Sequence, residues 1–466
     1  NVKKLLLYIF VCFTTIQIHA QSPELWGMTF SGGINNVGTI FKTDSNGNNH
    51  VLVHEFIKYE GAFPKYTELC EASNGKLYGM TREGGANEMG VLFEYEPSTN
   101  TYSKKLDFNG AANGRKPYGS LIQASNGKLY GMTSEGGTND MGVLFEYDPT
   151  TSTYTKKLDF NDIDGSYPQG SLMQASNGKL YGMTLGGGTN NFGVLFEYNP
   201  STNTYTKKFD FNSTNGGEPY GSLMQASNGK LYGMTRGGIN DIGVLFEFDP
   251  TTSTYTKKLD FNYIDGQYPF GSLMQASNGK LYGMTEVGGT NGMGVLFEYD
   301  PTTSTYTKKL DFNDIDGQYP FGSLMQASNG KLYGMTPEGG TNDMGVLFEY
   351  HPTTNTYTKK LDFNGINGIS PNGDLIEVTT NVIGIKEQIT NNIKIYPNPS
   401  KGILYIETEQ KQKFELYNSF GEMVYVHQLQ IGKNNLKLPN LATGVYYIKL
   451  FNKSTTIVER LMIHHQ

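Results

Sequence analysis

The 466-residue chain holds 58 glycines, with 13% aromatic and only 17% charged residues, a balance that suits many short strands and tight turns better than helices. Its formal charge is −7, so no basic surface invites nucleic acid. Only Cys12 and Cys70 are present, which leaves stability to packing rather than to a disulfide framework.

Residues 1–22 have the order of a secretory leader. Lys3 and Lys4 precede the apolar run Leu5 to Phe13, and Ile18-His19-Ala20 before Gln21 offers a cleavage point. The run is short of the roughly 20 residues a membrane span needs. Cys12 makes a poor lipoprotein site, because Ile9-Phe10-Val11 lacks small residues and apolar residues continue past it. Removing the leader leaves 35 basic against 44 acidic residues, a charge of −9, and Cys70 as a lone thiol.

From Leu25 the chain repeats itself. LWGMT at 25–29 is followed by LYGMT at 77, 129, 180, 231, 281 and 332, and a period near 50 residues belongs to propeller blades. The copy beginning at Gly119 shows four strands. Gly119 to Ala124 is predicted to form a hairpin with Leu129-Tyr130-Gly131-Met132-Thr133 through a type I′ turn at Asn126-Gly127. Gly136-Gly137 then permits a sharp reversal at positive φ. Val143 to Tyr147 forms a third strand that stops at Asp148-Pro149, and Tyr154 to Phe160 a fourth. Leu144 lies on one face of the third strand, with Val143, Phe145 and Tyr147 on the other. A sheet that is apolar on both faces needs a neighbour on each, which radially stacked blades supply. Gly131 inside a strand suggests a close backbone approach near a propeller axis, or a simple bulge.

The ends of the repeat are complementary. The chain enters a unit at its second strand, Leu25 to Thr29, followed by Thr39 to Thr43 and His50 to Phe56, and leaves after Gly373 to Val378, a degenerate first strand. A ring closed by that C-terminal strand explains the match, whereas an open solenoid would want two polar caps. The expectation is an all-β chain: a seven-bladed propeller of four-stranded blades over residues 23–378, a linker at 379–392, and a small β-sandwich at 393–466.

The conspicuous polar residues recur in almost every unit and so read as architecture. Glu94, Glu146, Glu197, Glu247, Glu298 and Glu349 share one strand position, and Lys105, Lys157, Lys208, Lys258, Lys309 and Lys360 another. If Tyr147 pairs with Tyr154, Glu146 reaches Lys157 diagonally across the hairpin. His50 and His54 are expected on one face of a strand, without an evident third metal ligand. NDIDG at 161 and 313 and NYIDG at 262 resemble acidic calcium loops but lack the first Asp at the proper spacing, and read as solvated turns. No phosphate loop, dinucleotide glycine set or nucleophile elbow occurs, so neither a cofactor nor a catalytic set is expected. Arg82, Ser134, Leu185, Arg236, Glu286 and Pro337 replace one another at one loop position in a nearly fixed unit. Loops on rigid scaffolds carry recognition, so this is where a ligand is expected.

LYGMTSEGG followed by VLFEYDPTTSTYTKKLDF resembles a kelch repeat, with Tyr154 where kelch has Trp and the di-glycine a few residues late. It is closer to the bacterial GloVer tandem repeats, with their G-x-L, LYG-x-T, GG and G-x-[VL]-F signature, over about residues 24–378. That resemblance implies an exported protein and no particular activity. Residues 393–466 alternate as a small sandwich, in Phe414-Glu415-Leu416-Tyr417 and Val445 to Phe451. A generic carbohydrate-binding sandwich would read the same way. They also resemble the type A C-terminal sorting domain of the type IX secretion system, on Tyr396-Pro397-Asn398-Pro399 with Gly402, on Gly421, and on Gly444-Val445-Tyr446-Tyr447-Ile448. Family members often end in Lys or Arg, while this chain ends His464-His465-Gln466. The resemblance implies passage through the type IX machinery across the outer membrane, removal of the domain, and either release or attachment to surface lipopolysaccharide, without a transmembrane span in the mature chain. The expected function is a non-enzymatic binding or adhesion protein for a glycan or a protein. A polysaccharide-acting propeller enzyme is the alternative, on fold analogy, and a passive spacer a third.

Overall fold

The computed structural model describes residues 23–378, 394–397, 400–408, 411–418, 423–439, 441–451 and 456–463. The leader, the linker, Asn398, Pro399, Gly421 and the terminal His464-His465-Gln466 lie outside the described residues. The chain falls into two compact units, the first ending at Val378.

Within the first unit are seven antiparallel four-stranded sheets. Blade three represents them, with strands Ile122–Gln123, Leu129–Thr133, Val143–Asp148 and Thr153–Asp159. Its first hairpin forms as expected, but the turn is not type I′. Gly127 alone takes the left-handed angle, φ +80°. The Gly127 amide donates to the Ala124 carbonyl at 2.8 Å and the Ala124 amide to Lys128 at 2.9 Å, the three-residue loop with a glycine bulge. The first strand is also shorter than predicted, because Gly119 to Leu121 are spent at the axis. Tyr147 pairs with Tyr154, and the register slips between Leu144 and Phe145 so that Lys157 is the extra residue. This bulge recurs in all seven blades, turning each outer strand relative to the rest.

The two apolar faces of each sheet meet different neighbours. Tyr130, Met132 and Leu144 pack with Leu172, Leu180 and Phe196 of blade four, while Leu129, Val143, Phe145 and Tyr147 pack with Tyr78, Leu92 and Phe108 of blade two. Seven such clusters join consecutive blades, and one of them sets Leu25, Phe41 and Leu375 against Tyr333, Leu347 and Phe363, so blade seven meets blade one. Blade one is itself closed from the far end of the repeat: Glu24 pairs with Val378, Leu25 with Glu377 and Trp26 with Ile376. No sheet edge is left at the junction of the two ends.

The second unit is a sandwich of a three-stranded sheet, Lys394–Tyr396, Ile403–Thr408 and Gly432–Lys437, and a four-stranded one, Gln412–Tyr417, Met423–Leu429, Gly444–Phe451 and Thr456–Ile463. Leu404, Ile406, Phe414, Leu416, Ile448 and Leu461 are among its core residues. Tyr396 stacks on Tyr405 at 5.7 Å on the outside, and Pro397 is exposed. Gly402 turns at φ +98°. Gly444 lies opposite Ile463, and buried Tyr446 donates its hydroxyl to the Ala442 carbonyl at 3.0 Å.

Candidate binding face at the propeller axis

At the axis six of the seven blades contribute the glycine of a G-x-L segment. A Cβ on Gly119 would lie 2.5 Å from the Gly170 carbonyl oxygen, and Gly170, Gly221, Gly271, Gly322 and Gly373 face the next blade's backbone in the same way, Thr67 completing the ring in blade two. These are the close backbone approaches that the sequence reading assigned to Gly131. Gly131 instead makes room for an aromatic side chain, since its Cβ would stand 2.6 Å from Cζ of Phe145 on the neighbouring strand.

The residue after each glycine forms a hydrogen-bonded belt. The Ser120 amide donates to Ser171 Oγ at 2.7 Å, Ser171 to Ser222 at 2.7 Å, Ser222 to Ser272 at 2.8 Å and Ser272 to Ser323 at 2.8 Å. Blades one and two place carboxylates there, Asp374 and Glu68. The Ser323 amide donates to Asp374 Oδ1, and the Glu68 amide to Ser120 Oγ. Burial, and for Glu68 the neighbouring Asp374, pushes both carboxyls upward, Glu68 to about 8. The cavity inside this belt measures about 30 Å³, room for a water or two and too small for an organic ligand.

An organic ligand would meet the residue before each glycine. These are Tyr66, Tyr118, Gln169, Tyr220, Phe270, Phe321 and Asn372 in successive blades. Tyr220 stacks on Phe270 at 4.1 Å, Tyr66 contacts Phe270 at 5.1 Å and Phe321 at 5.7 Å, and Tyr66 lies 6.1 Å from Tyr118. The rings make a partly exposed apolar floor over the axis. The sequence reading does not single out this position, which lies just before the expected first strand. Its signal was available, since it too varies within a nearly fixed unit.

Three of the predicted loop residues come together on this floor. Arg82 donates from Nε to the Tyr118 hydroxyl at 2.8 Å. Arg236 covers the Tyr268 ring at 4.5 Å and reaches Glu218 at 3.4 Å. Glu286 is half-buried; its desolvation holds the carboxyl above the usual range, partly offset by Arg236. Burial, then the charge of Glu286 and the hydroxyls of Tyr118 and Tyr220, raises the Tyr66 phenol in turn. Lys65 sits 4.8 Å over the Tyr66 ring. Ser134 and Pro337 are buried and Leu185 partly so, so none of the six positions is a freely exposed tip. The structure does not draw those three side chains onto the floor.

The recurring acids and lysines are structural. All six Glu–Lys pairs form, at 3.2–3.8 Å, and each Glu also accepts a hydrogen bond from the blade's tyrosine, as Glu146 does from Tyr130 at 2.5 Å. In four blades the turn lysine joins, Lys128 at 2.9 Å in blade three; in blades five and six it turns to Asp249 and Asp300. His50 and His54 do not share a face. His50 stacks on Phe41 near Phe363, while His54 stacks on Tyr102 at 4.0 Å, because the bulge between Ile40 and Phe41 reverses the alternation between them. The NDIDG loops are turns: Asn161 Oδ1 accepts from the Ile163 and Asp164 amides, and Tyr205 of the next blade donates to the Asp164 carbonyl. Cys70 is a free thiol that burial pushes up to about 12, so it is no nucleophile.

These features define a closed seven-bladed β-propeller with an aromatic mouth, followed by a small sandwich. Residues 14–175, 122–241 and 224–396 match the Gloeobacter/Verrucomicrobia repeat, and the chain belongs to that family. Residues 394–464 match the secretion system C-terminal sorting domain, which directs the chain through the type IX machinery to the cell surface or the extracellular space. No helix among the described residues is long and apolar enough to cross a membrane. No curated protein matches the chain. Among solved structures, a Bacteroides fragilis protein named as a 6-phosphogluconolactonase is 16% identical over 77% of this chain and 98% of its own, with a TM-score of 0.51. The β-propeller domain of the Trilobed protease from Pyrococcus furiosus is 13% identical over 74% of this chain and 94% of its own, TM-score 0.44. The extracellular domain of a hybrid two component system from B. thetaiotaomicron is 14% identical over 96% of this chain, TM-score 0.49, and the match spans only 58% of that domain. At 16% identity the first of the three shows a shared fold.

Proposed function

We propose that this exported propeller is a binding or adhesion module whose ligand seats on the aromatic mouth. The observation that carries the reading is the convergence of Tyr66, Tyr118, Tyr220, Phe270 and Phe321 with Arg82, Arg236 and Glu286 on one floor. Flat apolar faces edged by a few polar groups suit a sugar ring or an extended peptide, and pockets of that composition fix orientation through their polar minority. A rigid ring of blades supports these groups, so little ordering cost falls on binding.

An enzyme acting on polysaccharide is the second reading, favoured by Glu286, a half-buried carboxyl held toward its protonated form beside an arginine. Glycoside hydrolysis needs a second carboxylate placed across the scissile bond. A glycan and surface-protein array run beside a reducing-sugar release assay separates the two. Binding without release is expected; release of sugar that Glu286→Gln abolishes would replace the binding reading with the enzyme.

A further inference from the structure

Blade two departs from the others where its chain crosses the mouth. Six blades place three residues between a proline and a leucine, as Pro117 and Leu121 do, but Pro64 and Leu69 enclose four. Pro64 is the counterpart of the other prolines, since it sits against Gly38 as Pro117 sits against Gly90. The extra residue changes the path of Lys65 and Tyr66. Tyr66 takes φ +55°, a left-handed angle that a bulky residue seldom adopts, and none of the six residues at its position in the other blades does so. Its ring reaches Phe270 and Phe321 of blades six and seven as well as Tyr118 of blade three. Lys65 lies over two rings, 4.8 Å from that of Tyr66 and 5.8 Å from that of Phe30. It makes no hydrogen bond or ion pair with any described residue.

A second cation stands beside it. Burial and then the charge of Arg82 hold the Lys65 ammonium below the usual lysine range, and Glu83 offsets them only in part. Arg82 gives one N–H to the Tyr118 hydroxyl and one to Glu83, and its other amino group is uncommitted among the described residues. Glu286 does not supply the missing charge, because burial holds its carboxyl toward the protonated form and its opposite charge is Arg236. The Tyr66 ring therefore offers a flat apolar face with surplus positive charge along one edge. A sugar ring carrying an acidic group answers both features at once, since the group is fixed at the edge of the face that stacks. An acidic peptide brings its charge on flexible arms and no flat face. On the reading that the mouth is the binding face, we propose that its ligand is an acidic glycan, whose ring stacks on Tyr66 while its carboxylate or sulfate pairs with Lys65 and the free edge of Arg82.

The test titrates the full chain by calorimetry with two matched pairs of probes and one peptide. The pairs are an oligomer of galacturonic acid with its methyl ester, and a sulfated galactan with the unsulfated one; the peptide is an oligoglutamate. In one pair the acidic member should bind at least tenfold tighter than the neutral member, and which pair responds tells carboxylate from sulfate. Lys65→Met keeps the apolar stem over Tyr66 and should erase that preference while leaving the neutral glycan's affinity unchanged; Lys65→Arg should restore it. Equal affinity within both pairs, tighter binding of the oligoglutamate, no binding of any glycan, or a preference that survives Lys65→Met would each overturn the proposal. Tyr220→Ala with Phe270→Ala separates that failure from failure of the mouth. If this pair abolishes glycan binding, only the acidic assignment falls; if glycan binding survives it, the mouth reading falls as well. If no glycan binds, the surface-protein array decides the mouth reading by itself.

Discussion

Leu25, in the first strand of the propeller, lies directly opposite Glu377, the middle residue of its last. The pairing makes blade one from both ends of the repeat, and it ties the stability of the whole ring to three residues, Ile376–Val378.

Cutting the chain after residue 361 should therefore cost more than a short strand would suggest. It removes Phe363 and Leu375 from the cluster between blades seven and one and opens a sheet edge. Relative to a chain ending at residue 380, we expect a melting temperature lower by roughly 5–10 °C and visible self-association. A small shift with a soluble monomer would favour an open solenoid.

Acid should unfold the protein in two windows. Burial holds the His54 imidazole down to about 4, and His50 is lowered for the same reason. Their unfolded value is about 6.5, so the stability that comes from keeping them neutral is complete above that pH and is lost as pH falls toward 4. Glu94, Glu146, Glu197 and Glu349 behave differently. Burial alone would raise them, but hydrogen bonds from a tyrosine and at least one lysine, with the charge of the second lysine, outweigh it and hold each below the usual range. Their contribution is complete above about pH 4.3 and is lost as pH falls through the depressed folded values. Denaturant midpoints measured across pH should show His54→Phe flattening the upper window only and Glu146→Gln the lower only. An unchanged upper window in His54→Phe would contradict the assignment.

Two glycines should respond differently to the same substitution. Gly127 has open space around its missing Cβ and φ +80°, so Gly127→Ala costs only the left-handed conformation, about 1 kcal/mol. Gly119→Ala would drive a methyl against the Gly170 backbone, which cannot yield without shifting a blade, at about 3 kcal/mol or more. Equal costs in equilibrium denaturation would argue against the axial glycine ring.

Removing residues 393–466 should leave the propeller folded but held in the periplasm, because its apolar clusters are complete without the sandwich. Fractionation and the melting temperature of the retained protein check this. Surface appearance of the shortened chain would defeat the export assignment.

What could be read from the sequence were features that depend on local chemistry and on counting: the hairpins, the stop at Asp148-Pro149, the two apolar faces around Leu144 and Phe145, and the complementary ends. Features that depend on the ring were not readable from a single unit. Gly119 and Gly131 are both glycines beside strands, and only the blade-to-blade distance shows which one faces a backbone. His50 and His54 were assigned to one face because the bulge at Ile40 has no signature in the residues themselves. Arg82, Arg236 and Glu286 were picked out by their variability, yet the tyrosines and phenylalanines beneath them become a floor only when seven units converge.

The mouth is the centre of this account, and binding by matched variants tests it most directly. Tyr220→Ala with Phe270→Ala strips the floor, Arg82→Ala with Arg236→Ala strips its charged edge, and Ile163→Ser with Ile315→Ser changes exposed loop tips that lie on the blades' outer turns. For whichever glycan or surface protein the array identifies, the floor pair should abolish measurable binding, the arginine pair should weaken it about tenfold, which corresponds to roughly 1.4 kcal/mol, and the loop-tip pair should leave it unchanged. Loss of binding in the loop-tip pair with full affinity in the floor pair would contradict the account and move recognition away from the propeller axis.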